Sequence, residues 1–272
     1  NVIEDWYSDT LDLGHRNTEY ACKHLRVERN LLRDSGIVKS TGHTTDASNS
    51  VFYVNNRYLN LTTRPMDYHH GFTVRRLHET WSLPTEVSPG VPMYGHHLYD
   101  ATNAQDDDHG PTIFLNNLIR WTGWTPPRVW RLDSKTVDYI LDDLDADYSL
   151  HLSCVEPEDW FAIDSSPIET GTLSDWQSEY GQEINSEWLD AAEAYVEWTN
   201  EDGGNQFVGT PSVRQIELTC PTNPSLDVTF EIDRDFAGNA RPPNRPGMTK
   251  GAYQEAGMDA FLAGHYCAQV AM

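Results

Sequence analysis

Three histidines and four aspartates lie between Gly95 and Pro111, and residues of both types can bind metal ions. Imidazole ligands must converge on one point, as they do when two histidines lie four residues apart on one helix face. His96 and His97 are adjacent, and neighbouring side chains point apart in regular structure. This part of the chain therefore gives little support for a transition-metal site.

The end of the same stretch offers oxygen ligands of the kind that Ca²⁺ prefers. Asp106, Asp107, Asp108 and His109 are therefore the candidate metal ligands of the sequence. The simpler interpretation is a solvated loop in a chain that is rich in aspartate. Beyond a calcium ion at this loop, the sequence predicts no cofactor.

A second group of aspartates resembles the start of an EF-hand calcium loop, since Asp143, Asp145 and Asp147 occupy alternate positions. The resemblance ends at Tyr148, where the loop needs glycine, and at Cys154, where it needs a bidentate glutamate. An acidic helix end that leads into a strand is the better interpretation.

The segment VWRLDSK, Val129 to Lys135, resembles the first strand of toxin-type ADP-ribosyltransferases, in which an arginine followed by Asp-Ser helps to bind NAD. The resemblance implies that Arg131 would bind the cofactor and that a later glutamate, Glu179 or Glu183, would be catalytic. The distance along the chain from Arg131 to either glutamate is short for the core of such an enzyme. The first 125 residues would also remain unexplained.

The four cysteines, Cys22, Cys154, Cys220 and Cys267, are widely spaced and form no C-x-x-C pair, so zinc ribbons and thioredoxin-like motifs are unsupported. Two disulfide bonds, in any of three connectivities, and four buried thiols both remain open. Asn60 begins an Asn-Leu-Thr sequon, which is a glycosylation candidate in a eukaryotic secretory pathway.

The charge of the chain excludes several classes of partner. Nineteen lysines and arginines stand against 42 acidic residues, and the formal net charge is −23. A polyanion such as nucleic acid, or an anionic membrane, would be repelled. Such a surface is typical of proteins in high salt and of secreted proteins. No run approaches eighteen apolar residues, so membrane insertion is not expected.

Hydrophobic periodicity predicts several amphipathic helices. The predicted helices are Thr18 to Asp34, Thr73 to Trp81, Thr112 to Trp121, Thr136 to Leu144, a segment that starts at Ser186 and includes Trp188, and Lys250 to Val270.

Strand patterns predict two antiparallel hairpins, one over Val51 to Thr63 with a turn at Asn55-Asn56, and one that joins Val213 to Cys220 with Leu226 to Asp233. Shorter strands are predicted at Arg128 to Leu132, Leu150 to Val155 and Trp160 to Ile163.

These elements show neither a βαβ rhythm nor an internal repeat. The predicted fold is therefore α+β, with antiparallel hairpins packed against several amphipathic helices. We expect a single large domain over residues 1–272, with a subdivision near 126–127 as the alternative. A proline-rich linker, 237–248, would lead to the C-terminal helix.

The sequence contains no G-x-S-x-G elbow, no H-E-x-x-H helix, no phosphate-binding glycine loop and no dinucleotide fingerprint. This favours a non-enzymatic structural or surface protein, such as a virion coat or extracellular assembly subunit adapted to high salt or secretion. Its partners would be protein subunits in a homo- or hetero-oligomer. The alternative is a secreted enzyme, either similar to the ADP-ribosyltransferases or active on glycans.

Overall fold

The computed structural model describes part of the chain. The described residues are 2–4, 9–12, 25–34, 37–40, 50–59, 61, 66–68, 73–89, 91–98, 112–123, 125–133, 141, 144–164, 168–190, 199–201, 204–206, 218–219, 229–230, 234–241 and 251–252.

The strands follow one another in repeating sets, and each set makes one coil of the chain. The first, partial coil contains β1 (Val2–Glu4) and β2 (Asp9–Asp12). The next coils contain β3 (Leu25–Glu28), β4 (Leu31–Arg33) and β5 (Ile37–Ser40), then β6 (Ser50–Val54), β7 (Arg57–Leu59) and β8 (Met66–Tyr68). The third complete coil contains β9 (Thr73–Leu77), β10 (Thr80–Pro84), an inserted pair, β11 (Glu86–Ser88) and β12 (Val91–Pro92), and β13 (Tyr94–Leu98). The fourth contains β14 (Thr112–Leu115), β15 (Leu118–Thr122) and β16 (Arg128–Asp133), and the fifth contains β17 (Leu144–Asp147), β18 (Leu150–Ser153) and β19 (Asp159–Asp164).

The chain then forms β20 (Glu169–Gly171), helix α1 (Leu173–Tyr180) and β21 (Glu187–Asp190). Two short antiparallel pairs follow, β22 (Thr199–Glu201) with β23 (Gly204–Gln206), and β24 (Leu218–Thr219) with β25 (Thr229–Phe230).

Corresponding strands of successive coils pair with one another and build three sheets. Sheet one contains β3, β6, β9, β14 and β17, and sheet two contains β1, β4, β7, β10, β15, β18 and β21. Sheet three contains β2, β5, β8, β13, β16, β19 and β20. Every neighbouring pair in these sheets is parallel except β19 with β20. A chain that visits three parallel sheets in turn, once per coil, is a parallel β-helix.

Side chains from all three sheets fill the interior of this β-helix. Sheet one contributes Tyr53 and Phe114, sheet two contributes Trp81, and sheet three contributes Trp130 and Trp160, and all five side chains are buried. Because burial of apolar area contributes about 25 cal/mol per Å², these large aromatic side chains supply much of the stabilisation of the fold.

The outer side of sheet one is apolar as well. Phe52, Val54, Leu77 and Leu115 form a second buried cluster, separate from the interior one. Arg75 lies over the ring of Phe52 at 4.8 Å. The sequence of a strand that is buried on both faces is a continuous apolar run, without the alternation of apolar and polar residues that marks a half-exposed strand.

A two-residue turn joins sheet one to sheet two in each complete coil. The first residue of each turn has a positive φ, and these residues are Arg29, Asn55, His78, Asn116 and Tyr148. Non-glycine residues adopt this conformation at some cost, and asparagine adopts it most readily.

The second residues of these turns are buried and form a row, which we name the turn ladder: Asn30, Asn56, Glu79, Asn117 and Ser149. Oδ1 of Asn56 accepts a hydrogen bond from the backbone N of Asn30 at 2.9 Å, and Nδ2 of Asn56 donates to Oε1 of Glu79 at 2.9 Å. Oδ1 of Asn117 in turn accepts from the backbone N of Glu79 at 2.8 Å. The carbonyl of Asn117 accepts from the backbone N of Leu150 at 2.9 Å, so hydrogen bonds of the ladder residues link each complete coil to the next.

Helix α1 and the loop after it close the C-terminal end of the β-helix. Trp176 of α1 is fully buried and stacks against Trp130 with ring centroids 5.9 Å apart. The side chain of Gln182 pairs with the free edge of β17, because its Nε2 donates to the carbonyl of Leu144 and its Oε1 accepts from the backbone N of Ala146. An edge strand that is covered in this way is not open to further pairing.

The predicted α+β fold is wrong, because the three main sheets are built from parallel strands. Three predicted helices are strands over their described residues. Thr18 to Asp34 contains β3 and β4, Thr73 to Trp81 contains β9 and the start of β10, and Thr112 to Trp121 contains β14 and most of β15. The helix predicted after Ser186 begins as β21, and Leu144, at the end of another predicted helix, begins β17.

The hairpin predicted over Val51 to Thr63 is also wrong, although its turn is where the sequence placed it. Asn55 has a φ of 53°, but β6 and β7 belong to different sheets and do not pair. The strands predicted from Arg128, Leu150 and Trp160 are confirmed as β16, β18 and β19.

In the other predicted hairpin, Leu218 pairs with Phe230, as expected for antiparallel strands. Pro126 and Pro127 lie between β15 and β16, within one coil. Most of the proline-rich linker and nearly all of the predicted C-terminal helix lie outside the described residues.

Candidate functional site

A buried ion pair lies in the interior, on the turn ladder. Nη1 of Arg76 is 3.1 Å from Oε2 of Glu79, while Tyr58 OH donates to Oε1 of Glu79 at 2.7 Å. Burial raises the pKa of Glu79, and the charge of Arg76 opposes that rise. All three side chains are fully buried, so this cluster supports the fold and does not face a ligand.

His96 lies in the interior between aromatic rings. Its ring stacks on Trp130 and meets Phe114 edge-on, with centroid distances of 4.2 Å in both cases. Burial lowers the pKa of His96 well below its usual value, and electrostatic interactions with His151 and Arg76 lower it further. His96 therefore packs in the fold as a neutral aromatic residue and is not a candidate ligand at the surface.

Glu183 closes the interior at the C-terminal end. Its Oε2 accepts hydrogen bonds from Nε1 of Trp160 at 2.6 Å and from Nε1 of Trp130 at 3.2 Å. Its Oε1 is 3.4 Å from Nε2 of His151. This carboxylate is fully buried, and it joins sheet two, sheet three and the loop after α1.

A group of partly exposed polar residues lies on the outer face of sheet three. There, the guanidinium of Arg128 is paired with Asp159, Nε to Oδ2, at 3.3 Å, and its Nη1 donates to the hydroxyl of Tyr94 at 3.0 Å. Arg131 lies three residues further along β16, 5.4 Å from the centre of the Tyr94 ring, and is paired with Asp164 at 2.7 Å. These five residues make a partly exposed row of planar polar groups, which we name the outer row.

A depression of about 200 Å³ adjoins the outer row where β16 and β19 begin. Its lining residues are Thr85, Glu86, Thr125, Pro126, Arg128, Glu158 and Asp159. These residues come from three successive coils, so the depression exists because the β-helix places their turns side by side.

Local contacts hold Thr85, one of the lining residues, in place. Oγ1 of Thr125 donates to Oγ1 of Thr85 at 2.6 Å, and the backbone N of Met93 donates to the carbonyl of Thr85 at 2.9 Å. Gly123, with a φ of 142°, packs directly against the side chain of Thr85, where a Cβ atom would collide. Glycine is needed here both for the backbone conformation and for the close approach.

Two of the residues predicted from the ADP-ribosyltransferase resemblance, Arg131 and Glu183, lie on opposite sides of sheet three. Arg131 points outward from sheet three, whereas its neighbour Trp130 points inward and contacts Glu183. Glu183 is fully buried, and Glu179 is exposed on α1. A sheet separates Arg131 from the carboxylate of Glu183, so these two groups cannot hold one NAD molecule between them.

The candidate calcium ligands Asp106, Asp107, Asp108 and His109 lie outside the described residues, as does Asp143. Asp147 is largely buried, and its carboxylate accepts hydrogen bonds from the backbone N and the Nδ2 of Asn185 at 2.7 and 2.8 Å. Within the described ranges, no group of three or more His, Cys, Asp or Glu residues is arranged to hold a metal ion.

Cys154 forms a disulfide bond. Cys22, Cys220 and Cys267, together with the sequon residue Asn60, lie outside the described residues. Among the helices that the structure describes, none is long and apolar enough to cross a membrane.

Sequence reasoning missed the depression, because its residues are far apart in the chain. The signal that could have revealed the coils is the recurrence of Asn55-Asn56 and Asn116-Asn117, each pair between two short apolar runs. A repeated turn of this kind predicts a solenoid, in which outward residues of successive coils become neighbours.

The described residues thus form a parallel β-helix, which carries a polar depression on its outer surface where β16 and β19 begin. Comparisons with protein-family models, with curated proteins and with solved structures found no match.

Proposed function

We propose that the chain is a structural subunit of an exposed assembly, such as a virion coat or an extracellular layer, in high salt or after secretion. The observation that carries the proposal is the continuous β-helix with its filled interior. Each coil is bonded to the next along three sheets and along the turn ladder. A solenoid of this kind has a fixed shape, because each coil adds one strand spacing of about 4.8 Å.

The positions of the carboxylates are consistent with a role at the surface. The buried acidic residues within the described ranges are Glu79, Asp147, Glu183 and Asp235. Each of them has a protein partner; Asp235, for example, accepts from the backbone N of Asn239 at 2.7 Å. The acidic surplus of the chain therefore does not gather in the described part of the interior. Carboxylates in contact with solvent keep a protein soluble where salt screens their mutual repulsion.

A contact between subunits has a candidate position at the closed end. The large apolar side chains that are exposed within the described residues are Ile168, at 64%, and Ile184, at 56%. One precedes β20 and the other follows α1, so both belong to the segment that closes the β-helix. Apolar side chains at the centre of an interface are typical of subunit contacts.

Light scattering on the purified chain in high salt tests this proposal. We expect a mass of several chains, and we expect the double substitution Ile168→Asp with Ile184→Asp to reduce it. Ser88→Asp, at an exposed position of β11 in the third coil and away from the closed end, is the control and should leave the mass unchanged. A single-chain mass under all salt conditions, together with turnover of NAD or of a polysaccharide, would contradict the structural role.

A further inference from the structure

We propose that the depression beside the outer row is a binding site for an uncharged saccharide. Turns of three successive coils form it, and contacts with Thr125 and Gly123 hold Thr85 of its lining in place. A volume of about 200 Å³ lies below the range of about 300–1,000 Å³ that is usual for drug-sized ligands. The depression therefore fits one small unit of a ligand whose remainder lies on the surface outside.

The polar groups of the lining match hydroxyl groups, because a hydroxyl both donates and accepts a hydrogen bond. Glu86, Glu158 and Asp159 offer carboxylate oxygens as acceptors, and Arg128 and Thr125 offer donors. The pairing of Arg128 with Asp159 at 3.3 Å places a planar donor beside a planar acceptor. Two neighbouring hydroxyl groups of one sugar ring can bind to such a pair, one by accepting a hydrogen bond from Arg128 and the other by donating one to Asp159.

Charge decides between saccharide classes. Three carboxylates and one guanidinium line the depression, which gives it a formal net charge of −2 on a chain of net charge −23. A saccharide that carries carboxylates or sulfates would be repelled. A cationic saccharide would be attracted by this net charge, but its ammonium groups cannot accept the hydrogen bonds that Arg128 and Thr125 donate. An uncharged saccharide can use both the donors and the acceptors of the lining.

The outer row extends the site beyond the depression. Tyr94 lies next to Arg128, with the guanidinium 5.6 Å from the ring centre, and offers an aromatic surface for the apolar side of a sugar ring. Arg131 and Asp164 form a second donor and acceptor pair. Both guanidiniums lie within 5.6 Å of the Tyr94 ring centre, so a ligand that extends from the depression past Tyr94 meets the second pair next.

Isothermal titration calorimetry on the full chain, in about 1 M salt to screen the attraction between the acidic chain and a cationic ligand, tests the site with five tetrasaccharides. Maltotetraose, cellotetraose and xylotetraose are uncharged, tetragalacturonate is anionic, and the tetramer of glucosamine is cationic. We expect at least one uncharged tetrasaccharide to bind with a Kd of about 1 mM or lower, and more tightly than either charged one. Binding of no uncharged tetrasaccharide, or tighter binding of a charged one, would overturn the proposal.

Substitutions then locate the binding. Glu158→Gln removes a carboxylate from an exposed turn, and Arg128→Lys removes the planar donor; each should weaken binding about tenfold. Glu28→Gln is the matched control, because Glu28 forms a partly exposed pair with Arg26 at 3.0 Å on another sheet. Circular dichroism verifies that each variant is folded. Wild-type affinity in both depression variants would show that the saccharide binds elsewhere and would refute the site.

Discussion

The side chain of Asn56 holds two neighbouring turns together, because its Oδ1 accepts hydrogen bonds from both the backbone N and the Nδ2 of Asn30, at 2.9 and 3.1 Å. Its Nδ2 donates to the carbonyl of Val27 and to Glu79. The buried side-chain amide of Asn56 thus makes these hydrogen bonds with residues of the coils on either side. The stability of the β-helix depends on such contacts as well as on its aromatic interior.

Asn56→Ala should lower the free energy of unfolding by about 2–3 kcal/mol, because the substitution leaves buried donors and acceptors without partners. Urea unfolding, followed by tryptophan fluorescence, measures the change. Ser178→Ala removes a hydroxyl on the exposed side of α1 and should change stability by less than about 0.5 kcal/mol. If both substitutions change the free energy of unfolding equally, the hydrogen bonds of Asn56 in the turn ladder contribute no more stability than one exposed hydroxyl group.

Glu183→Ala should destabilise the C-terminal coil by about 3 kcal/mol, since Nε1 of Trp130 and Nε1 of Trp160 both lose their acceptor. Glu183→Gln keeps an acceptor oxygen and should cost clearly less. Hydrogen exchange of the amides in β18 and β21 measures the local effect. If the glutamine variant is the less stable of the two, the acceptor role assigned to Glu183 is wrong.

Arg76→Met should destabilise the fold by about 3–5 kcal/mol, because Glu79 then remains buried without its cation. Burial already raises the pKa of Glu79, so the loss should be smaller in acid, where this carboxyl group takes up a proton. The double variant Arg76→Met with Glu79→Gln should recover part of the loss. Chemical unfolding of the wild type, of these two variants and of the single variant Glu79→Gln gives the coupling free energy, and a coupling near zero would exclude a stabilising pair.

The burial of His96 predicts a specific dependence on pH. Its pKa in the folded chain lies well below its usual value, so unfolding takes up a proton once the pH falls below about 6.5. As the pH falls, this proton uptake lowers the free energy of unfolding by up to about 1.4 kcal/mol per pH unit. The decrease ends near the pKa of His96 in the folded chain. His96→Phe should reduce this slope between about pH 5 and 6.5. Urea titrations at several pH values test it, and an unchanged slope would mean that His96 does not titrate on unfolding.

Part of the fold could be predicted from the sequence. The strands that begin at Arg128, Leu150 and Trp160 were predicted, as was the turn at Asn55-Asn56. Short strands with β-branched and aromatic residues carry that signal locally. Their partners in the sheets could not be predicted, since parallel strands of successive coils are separated by twenty or more residues.

The predicted helices failed for a physical reason. Along Phe114 to Trp121, within the helix predicted from Thr112, every residue is buried, so the sequence lacks the alternation that distinguishes a half-exposed strand. In Thr73 to Trp81, Arg76 and Glu79 are charged yet fully buried as a pair, and their spacing of three residues is typical of an exposed helix face. Helix α1 was missed because Trp176 is its one buried residue, which leaves no apolar stripe.

The candidate site was harder to predict than the fold. Arg131 was singled out, but for the wrong neighbours: it pairs with Asp164 on the outer face, on the opposite side of the sheet from Glu183. Glu86, Arg128 and Glu158 meet only because three coils stack, and no local pattern indicates that meeting.

Electron microscopy of the native material tests the structural role most directly. We predict ordered particles in which several β-helices meet through the closed end that carries Ile168 and Ile184. Separate single chains at every salt concentration, with the closed end in contact with nothing, would contradict the proposed role.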